Sequence, residues 1–419
     1  MSCATLWILL TTSTAIQAGT FSKLTATDWP GWRGPSHNGI AADGQRLPSE
    51  WSPTQNIIWK TPLPGRGHAS PTVVGESIYL PTADEENETQ SVLCLDRRTG
   101  EIRWTTQLNQ GGFDRDGHQR KSHASPSIAS DGERLYVNLL HHGSVHTYAL
   151  SLQGELIWQQ AISKFVTHQG YGASPFLYQN LVIVCSDNKG GGAVAALQRA
   201  TGDLVWRRAR PEEPNYVSPV VFHIKGRDQL LLSGCDRVTS LNPKTGEVLW
   251  EIPGSTTECV VTMVTDGHRV FTSGGYPKNH TVAVEADGSG QVAWQNSTRV
   301  YVPSMIVSRQ HAFAVADAGF AICWEAATGK EIWKERLGGD FFSSPVMAGN
   351  HIYATNIRGK TYVYRAEPDT FEIVGVNQLG SEVYSSPVIC GDRIYLRVAH
   401  LDDQNENRHE VLYCIGLRN

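Results

Sequence analysis

The stretch Leu241-Asn242-Pro243-Lys244-Thr245-Gly246-Glu247-Val248-Leu249-Trp250 decides the fold, because near copies of it recur along most of the chain. Its Pro-Lys-Thr-Gly segment has the composition of a tight turn, in which Gly246 can adopt a positive φ at no steric cost. The residues from Glu247 to Trp250 have the composition of a strand. The stretch therefore predicts two strands joined by a tight turn.

Tryptophans mark the copies of this stretch at regular intervals, with gaps of 45, 54, 48, 44, 44 and 39 residues. They are Trp59, Trp104, Trp158, Trp206, Trp250, Trp294 and Trp333, and an eighth copy carries Val374 instead. A second landmark falls once in each interval, as Ser70-Pro71, Ser125-Pro126, Ser174-Pro175, Ser218-Pro219, Thr262-Met263, Ser304-Met305, Ser344-Pro345 and Ser386-Pro387. Eight landmarks in eight intervals predict eight structural units.

Each unit has the pattern of four short strands. In the unit that begins at Ser344, apolar runs at residues 345–347, 351–354 and 361–364 and a strand at Ile373 are separated by Gly-Asn and Arg-Gly turns. Four short strands in such a period are typical of a propeller blade. Eight units of about 45 residues need about 360 residues, and residues 56–419 supply 364. We therefore predict an all-β, eight-bladed β-propeller of four-stranded blades as a single domain.

The ends of this domain predict how the ring closes. Ile57 to Lys60 precede the first landmark, while the last unit ends at Leu412 to Ile415 without a tryptophan strand of its own. We expect the N-terminal strand to complete the C-terminal blade, which removes the free sheet edges that favour aggregation.

The first 55 residues lie outside this repeat. An apolar run at Leu6 to Leu10 and a small-residue end suited to cleavage after about Ala18 indicate a secretory signal at residues 1–18, and hence a periplasmic or secreted protein. No Lys or Arg precedes the run, so a disordered leader is the alternative. Residues 19–55 form an extended arm, since Asp28 to Pro35 are rich in Gly, Pro and Trp; the arm either packs on the propeller or binds a partner.

Composition excludes several classes of partner and site. The formal net charge of -5 gives no reason to expect nucleic acid. No other apolar run approaches the roughly 18 residues of a membrane span, so we predict no transmembrane segment in the mature chain. Seven cysteines follow Cys3, none in a Cys-x-x-Cys pair, and most lie in β-like apolar runs, which favours isolated buried thiols.

The recurring Thr-Gly-Glu-x-x-Trp, as in Thr99 to Trp104 and Thr245 to Trp250, resembles the tryptophan-docking motif of the pyrroloquinoline-quinone (PQQ) repeat propellers. The resemblance covers nearly all of residues 56–419, and it implies that the tryptophans hold neighbouring blades together. Two branches share the motif. The quinoprotein dehydrogenases are enzymes, whereas the BamB-like proteins are non-catalytic scaffolds in outer-membrane protein assembly.

In propellers of this kind, the loops that lead into the Ser-Pro strands open on one face of the central channel, where ligands bind. Our candidates for a binding site at this channel mouth are Arg66, His68, His118, His123, Tyr171, Tyr216, Phe342 and Tyr384. The long loops Asn109 to Ser122 and His400 to His409 could also reach over the mouth, and the Gly-rich segment Ser186 to Gly192 is either a ligand contact or a solvated hairpin. We predict no metal site, because His68 and His123 belong to a repeated His-Ala-Ser-Pro.

The two branches imply different chemistry. A dehydrogenase of the family would hold PQQ with calcium, use an Asp base, and in the alcohol dehydrogenases carry an adjacent Cys-Cys disulfide. This chain has no Cys-Cys, and no Asp or Glu matches the catalytic positions, so we predict no catalytic residue and no cofactor. We expect a scaffold with a protein partner at the cell envelope. A divergent PQQ-dependent alcohol or sugar oxidoreductase is the alternative, and glycan binding is a third possibility.

Overall fold

The computed structural model describes residues 21–402 and 407–418, and every regular element in them is a β-strand. The signal predicted at residues 1–18 lies outside the described residues, as does the middle of the loop from His400 to His409. Within the described part of the chain, no helix is long and apolar enough to cross a membrane.

The strands of the first half are β1 (Ile57–Leu63), β2 (Thr72–Val74), β3 (Ser77–Asp84), β4 (Thr89–Asp96), β5 (Ile102–Gln110), β6 (Ala129–Ser130), β7 (Arg134–His141), β8 (Ser144–Ser151), β9 (Leu156–Lys164), β10 (Phe176–Tyr178), β11 (Leu181–Cys185), β12 (Ala193–Gln198), β13 (Leu204–Ala209), β14 (Val220–Ile224), β15 (Arg227–Gly234) and β16 (Arg237–Leu241). Those of the second half are β17 (Val248–Pro253), β18 (Val264–Thr265), β19 (Arg269–Gly274), β20 (His280–Glu285), β21 (Val292–Asn296), β22 (Ile306–Ser308), β23 (His311–Val315), β24 (Phe320–Glu325), β25 (Glu331–Arg336), β26 (Val346–Ala348), β27 (His351–Thr355), β28 (Lys360–Arg365), β29 (Ile373–Gln378), β30 (Val388–Cys390), β31 (Arg393–Leu401) and β32 (Arg408–Ile415).

These strands form eight antiparallel sheets of four strands each, which confirms the predicted eight-bladed propeller. Blades 1 to 7 are runs of four consecutive strands, from β2–β5 in blade 1 to β26–β29 in blade 7. Blade 8 joins β30, β31 and β32 to β1, with Trp59 opposite Cys414. The predicted closure of the ring by the N-terminal strand is therefore confirmed.

A ring of hydrogen bonds joins the inner strands at the level of the Ser-Pro landmarks. The backbone N–H of Ser174 in blade 3, for example, donates to the Ser218 hydroxyl of blade 4 at 2.9 Å. Equivalent N–H to hydroxyl bonds run from Ser70 to Ser127, Ser127 to Ser174, Thr262 to Ser304, Ser304 to Ser344, Ser344 to Ser386 and Ser386 to Ser70. Blade 2 contributes Ser127 rather than its landmark Ser125. Each buried hydroxyl thus satisfies the buried backbone of its neighbour.

The tryptophans lie between consecutive blades at the outer edge. The Trp206 indole N–H of blade 3 donates to the Pro243 carbonyl of blade 4 at 3.0 Å, and a Cβ on Gly246 would come within 2.5 Å of the ring. Trp158 has the same relation to the Arg199 carbonyl and to Gly202. The turn of the repeated stretch therefore receives the tryptophan of the preceding blade.

The segment from Asp28 to Ala41 crosses the channel. Backbone hydrogen bonds pair Trp29 with Val73, Pro30 with Ser130 and Ala41 with Met347. Each of these blade residues follows, by three positions, the Ser of its blade that takes part in the ring of hydrogen bonds. The segment therefore fills the end of the channel remote from the loops that lead into the inner strands. From there the Trp32 indole reaches the Thr262 hydroxyl at 2.7 Å, at the junction between blades 4 and 5.

Arg33 ties this segment to two blades. Its side chain is buried, with 3% of the residue exposed, and its guanidinium donates to the carbonyls of Met305 at 2.5 Å and Pro345 at 2.9 Å. A further bond to the Asn38 carbonyl at 2.8 Å closes the segment on itself. Burial lowers the pKa of Arg33 to about 9, so the group remains charged at neutral pH.

Replacing Gly202 by Ala should test the contact between blades 2 and 3. Ala at a positive φ costs about 1–2 kcal/mol, and the clash with Trp158, which a Cβ would approach within 2.7 Å, should add about 1–3 kcal/mol. Gly226 has a similar φ, and a Cβ there would meet no atom within 4 Å. Gly226→Ala is therefore the matched control and should lose only the stability that Ala at a positive φ costs. Urea unfolding measures both. Equal losses would contradict the packing of this turn on the tryptophan.

Replacing Arg33 by Met should destabilise the whole ring. The substitution leaves buried carbonyls of two blades without donors, and we expect a loss of about 3 kcal/mol in the free energy of unfolding. Arg46→Met is the control, because the Arg46 side chain lies on the same arm but is 79% exposed; we expect a loss of less than about 1 kcal/mol there. Comparable losses in the two variants would show that the arm does not hold the blades together.

Candidate functional site

The channel mouth opposite the arm is built from two kinds of loop. The loops that lead into the inner strands meet the hairpins between the second and third strands, as in the backbone pairing of Arg66 with Ala83 and of Glu382 with Ala399. All eight sequence candidates lie in loops of the first kind, and the structure distributes them over three groups.

The first group brings together four candidates from three loops. The His68 ring lies 4.2 Å from that of Tyr384, measured between centroids, and Tyr384 stacks on Phe342 at 6.0 Å. Arg66 donates to the Arg120 carbonyl at 3.3 Å, and the Arg120 guanidinium lies 5.8 Å from the centroid of Phe342. With Arg358, whose charge acts on Tyr384, we name this group the basic recess: Arg66, His68, Arg120, Phe342, Arg358 and Tyr384.

Acidic side chains border the basic recess. The Tyr384 hydroxyl donates to Glu382 at 2.7 Å, and Glu382 pairs with Arg408. Arg408 also pairs with Glu410 at 3.0 Å, and the second oxygen of Glu410 pairs with the buried Arg397. These arginines and glutamates neutralise one another beneath the recess.

His68 is held neutral in this setting. Burial first, and then the charges of Arg66 and Arg408, hold the pKa of His68 well below its ordinary value of 6.5. Its Nε2 atom is buried and has no hydrogen-bond partner among the described residues. The ring therefore offers an unused polar atom beside two aromatic rings and several arginines.

The second group contains His118, His123 and Tyr171. His123 stacks on Phe113 at 4.0 Å, and burial followed by the Lys121 charge lowers the pKa of His123 to about 4. His123 and Tyr171 line a cavity of about 10 Å³, room for about one water molecule. The Tyr171 hydroxyl donates to the Cys185 carbonyl at 2.9 Å, so it is committed to the protein interior. His118 is exposed and accepts from the Arg120 N–H at 3.1 Å.

The third group surrounds Glu258, which is buried with 3% exposed. One Glu258 oxygen lies 3.4 Å from Nδ1 of His168, and that nitrogen lies 3.1 Å from the Tyr216 hydroxyl. The other oxygen accepts from the Tyr301 hydroxyl at 3.0 Å. Burial, followed by the Glu258 charge, raises the pKa of both Tyr216 and Tyr301, so both phenols stay protonated.

Sequence reasoning found Tyr216 in this group and missed its partners. Glu258 stands four residues before Thr262, as Arg66 does before Ser70, and Tyr301 stands three residues before Ser304, as Tyr171 does before Ser174. Blades 5 and 6 carry Thr-Met and Ser-Met in place of Ser-Pro, so the Ser-Pro pattern selects no residue of these two blades. The offset from the hydroxyl residue, applied to all eight blades, would have found both side chains.

Four carboxylates near this mouth are already bonded within the chain and do not fit a calcium-held quinone. Such a site needs several oxygen ligands converging on the ion. Here Glu258 is bonded to Tyr301, Asp317 accepts the Tyr301 backbone N–H at 2.6 Å, and Glu382 and Glu410 pair with arginines. Within residues 21–402 and 407–418, no three His, Cys, Asp or Glu side chains gather as a metal site. All seven cysteines in these ranges are free and buried.

The chain is similar to proteins of one family along most of its length. The model of the family described as outer membrane protein assembly factor BamB matches residues 36–112, 88–335 and 278–371. Outer membrane protein assembly factor BamB of Burkholderia pseudomallei (strain K96243) is 25% identical over 356 residues, which cover 78% of this chain and 83% of that protein.

Two solved structures share the fold at 13% identity. BamB from Moraxella catarrhalis superposes with a TM-score of 0.60, covering 85% of this chain and 99% of its own. The quinohemoprotein alcohol dehydrogenase from Comamonas testosteroni has a TM-score of 0.68, with coverages of 94% and 81%. At this identity the two likenesses establish the fold alone, and both an assembly factor and an enzyme are built on it.

Replacing His68 by Gln should flatten the dependence of stability on pH. The folded pKa of His68 lies well below 6.5, so the unfolded chain takes up the proton first as the pH falls. The contribution of neutral His68 is present above about pH 6.5 and is lost below it, at up to about 1.4 kcal/mol per pH unit. Urea unfolding between about pH 7 and 5 should therefore show a smaller loss in His68→Gln than in the wild type. The exposed-site variant His268→Gln is the control; equal slopes for all three proteins would contradict the burial of neutral His68.

Proposed function

This chain belongs to the family of outer membrane protein assembly factor BamB, and from that premise we propose that it is a non-catalytic propeller scaffold at the cell envelope. Its protein partner binds at the open mouth of the channel. The observation that carries this proposal is the contrast between the two ends of the channel. The arm fills one end with Trp32 and Arg33, while the other displays aromatic rings and arginines.

The location of the protein follows from the same premise. Residues 1–18 are proposed as a secretory signal that delivers the mature chain to the periplasm or outside the cell. The family description names outer-membrane assembly, which supports a partner from that machinery. The contacts of Trp158 and Trp206 with the following blades support the proposal that the tryptophan motif serves docking between blades and leaves recognition to the loops.

A PQQ-dependent alcohol or sugar oxidoreductase is the alternative function. The observation in its favour is the buried set of Tyr216, His168 and Glu258, because a carboxylate next to an imidazole can move a proton. The fold shared with the alcohol dehydrogenase is compatible with it. Against it stands the engagement of Glu258, Glu382 and Glu410 with partners of their own chain.

Affinity capture from envelope fractions tests the scaffold. We expect the tagged mature chain to retain a component of the outer-membrane assembly machinery, and Phe342→Ala/Tyr384→Ala to weaken this retention roughly tenfold, as loss of aromatic anchors does. Leu204→Ala/Val205→Ala, which removes exposed apolar side chains from the outer strand β13, is the control. Retention lost only in the control would place the partner on the outer edge, and retention of no such component would contradict the proposal.

Incubation of the purified chain with PQQ and calcium tests the alternative. We expect neither saturable binding nor dye-linked oxidation of alcohols or sugars. Micromolar binding of PQQ together with turnover would overturn the non-catalytic function, and a loss of that turnover in Glu258→Gln would assign it to the buried carboxylate.

A further inference from the structure

We propose that the basic recess binds an acidic peptide segment, whose carboxylates pair with Arg120 and Arg358 while an apolar or aromatic side chain packs on Phe342 and Tyr384. The inference rests on the proposed function, because it specifies the chemistry of the partner at the same channel mouth.

The arginines that surround the recess already bind carboxylates of this chain. Arg66 lies 3.5 Å from Glu85, and Arg408 pairs with Glu382 and Glu410. Glu410 in turn pairs with Arg397. Carboxylate is thus the anion that guanidinium groups take at this mouth, and bidentate pairing with it is the interaction for which arginine is suited.

Arg120 and Arg358 also belong to the basic recess, but neither is paired with a carboxylate of the described residues. Both are exposed, and neither takes part in an ion pair within the described parts of the chain. Their charges, with that of Arg66, oppose the effect of burial on the pKa of Tyr384, so all three act electrostatically on that ring. Arg358 follows Ile357, whose carbonyl accepts the Val383 N–H at 3.0 Å next to Tyr384. Two guanidinium groups therefore remain available around one aromatic ring.

Two polar atoms inside the recess point to a ligand independently of these charges. Nε of Arg66 and Nε2 of His68 are both buried and both lack a hydrogen-bond partner among the described residues. Buried polar atoms in folded proteins are nearly always bonded, and leaving one unbonded costs about 1–3 kcal/mol. A ligand oxygen seated against the His68 and Tyr384 rings would supply the partner.

The composition of the recess favours a peptide over a polyanion. Together with the groups that border the recess, the arginines Arg66, Arg120, Arg358, Arg397 and Arg408 stand against the glutamates Glu85, Glu382 and Glu410, which leaves two positive charges in excess among them. The protein as a whole carries a formal charge of -5, which opposes the approach of nucleic acid. The Phe342 and Tyr384 rings add the apolar contact area that anchors peptide side chains at interfaces.

Fluorescence anisotropy with a labelled peptide Glu-Glu-Tyr-Glu-Glu tests the inference on the mature chain. We expect saturable binding that weakens as the salt rises above about 0.1 M, where exposed charges are screened. Arg120→Glu/Arg358→Glu should weaken it roughly tenfold or more. Arg207→Glu/Arg208→Glu, at exposed positions of the outer strand β13, changes the net charge equally and should bind as the wild type does. The isosteric Gln-Gln-Tyr-Gln-Gln peptide should not bind.

Three results would overturn the inference. They are equal binding by the two charge-reversed proteins, equal binding of the glutamine peptide, and displacement of the peptide by inorganic phosphate at matched concentration, which would show an anion site without preference for peptide. Both variants should unfold at a temperature close to that of the wild type. A loss of binding then comes from the changed charges in the recess and not from unfolding. Failure here is distinct from failure of the scaffold. If the wild-type chain and Arg120→Glu/Arg358→Glu retain the envelope partner equally, the scaffold function stands. Only the binding of an acidic segment at the basic recess is then refuted.

Discussion

The fold depends on each blade satisfying the buried polar groups of its neighbour. On the inside, a Ser hydroxyl accepts the backbone N–H of the preceding blade, as Ser218 does for Ser174. On the outside, the tryptophan of one blade packs against a glycine turn of the next blade. The Trp206 ring, for example, packs against Gly246 and donates a hydrogen bond to the Pro243 carbonyl. A sheet of four strands cannot bury its faces alone, so these two joints make the blade a stable unit only within the ring.

At one junction, the arm and not the preceding blade donates to the inner hydroxyl. At the junction between blades 4 and 5 the Thr262 hydroxyl accepts from Trp32, which belongs to the arm, and Arg33 bonds carbonyls of blades 6 and 7. The same contacts fill one end of the channel. A feature that stabilises the ring therefore also leaves the other mouth as the open end of the channel.

The blades were predictable because their signal is local and repeated, whereas the position of the arm was not. Trp32 and Thr262 are 230 residues apart, and no periodicity links them. At the mouth, the offset before the Ser-Pro strands identified His68 and Tyr384, which meet although 316 residues separate them. The sequence pattern does not identify Glu258, because its blade carries Thr-Met in place of Ser-Pro. It does not identify Arg358, because that residue lies in a hairpin between the second and third strands of its blade. Charge pairing between loops depends on three-dimensional placement, which spacing in one chain does not encode.

The pairing of charges at the open mouth supports the proposed role in recognition. Glu258, Asp317, Glu382 and Glu410 each accept from a phenol, a backbone N–H or an arginine of the same chain, so their oxygens are already bonded. A catalytic site keeps an acid or base free to exchange protons with a substrate. Within the described residues, Arg120 and Arg358 of the basic recess take part in no ion pair and act on the Phe342 and Tyr384 rings, an arrangement suited to binding a partner. In a fold that also carries enzymes, the paired acids and the free arginines of this mouth support the proposed scaffold.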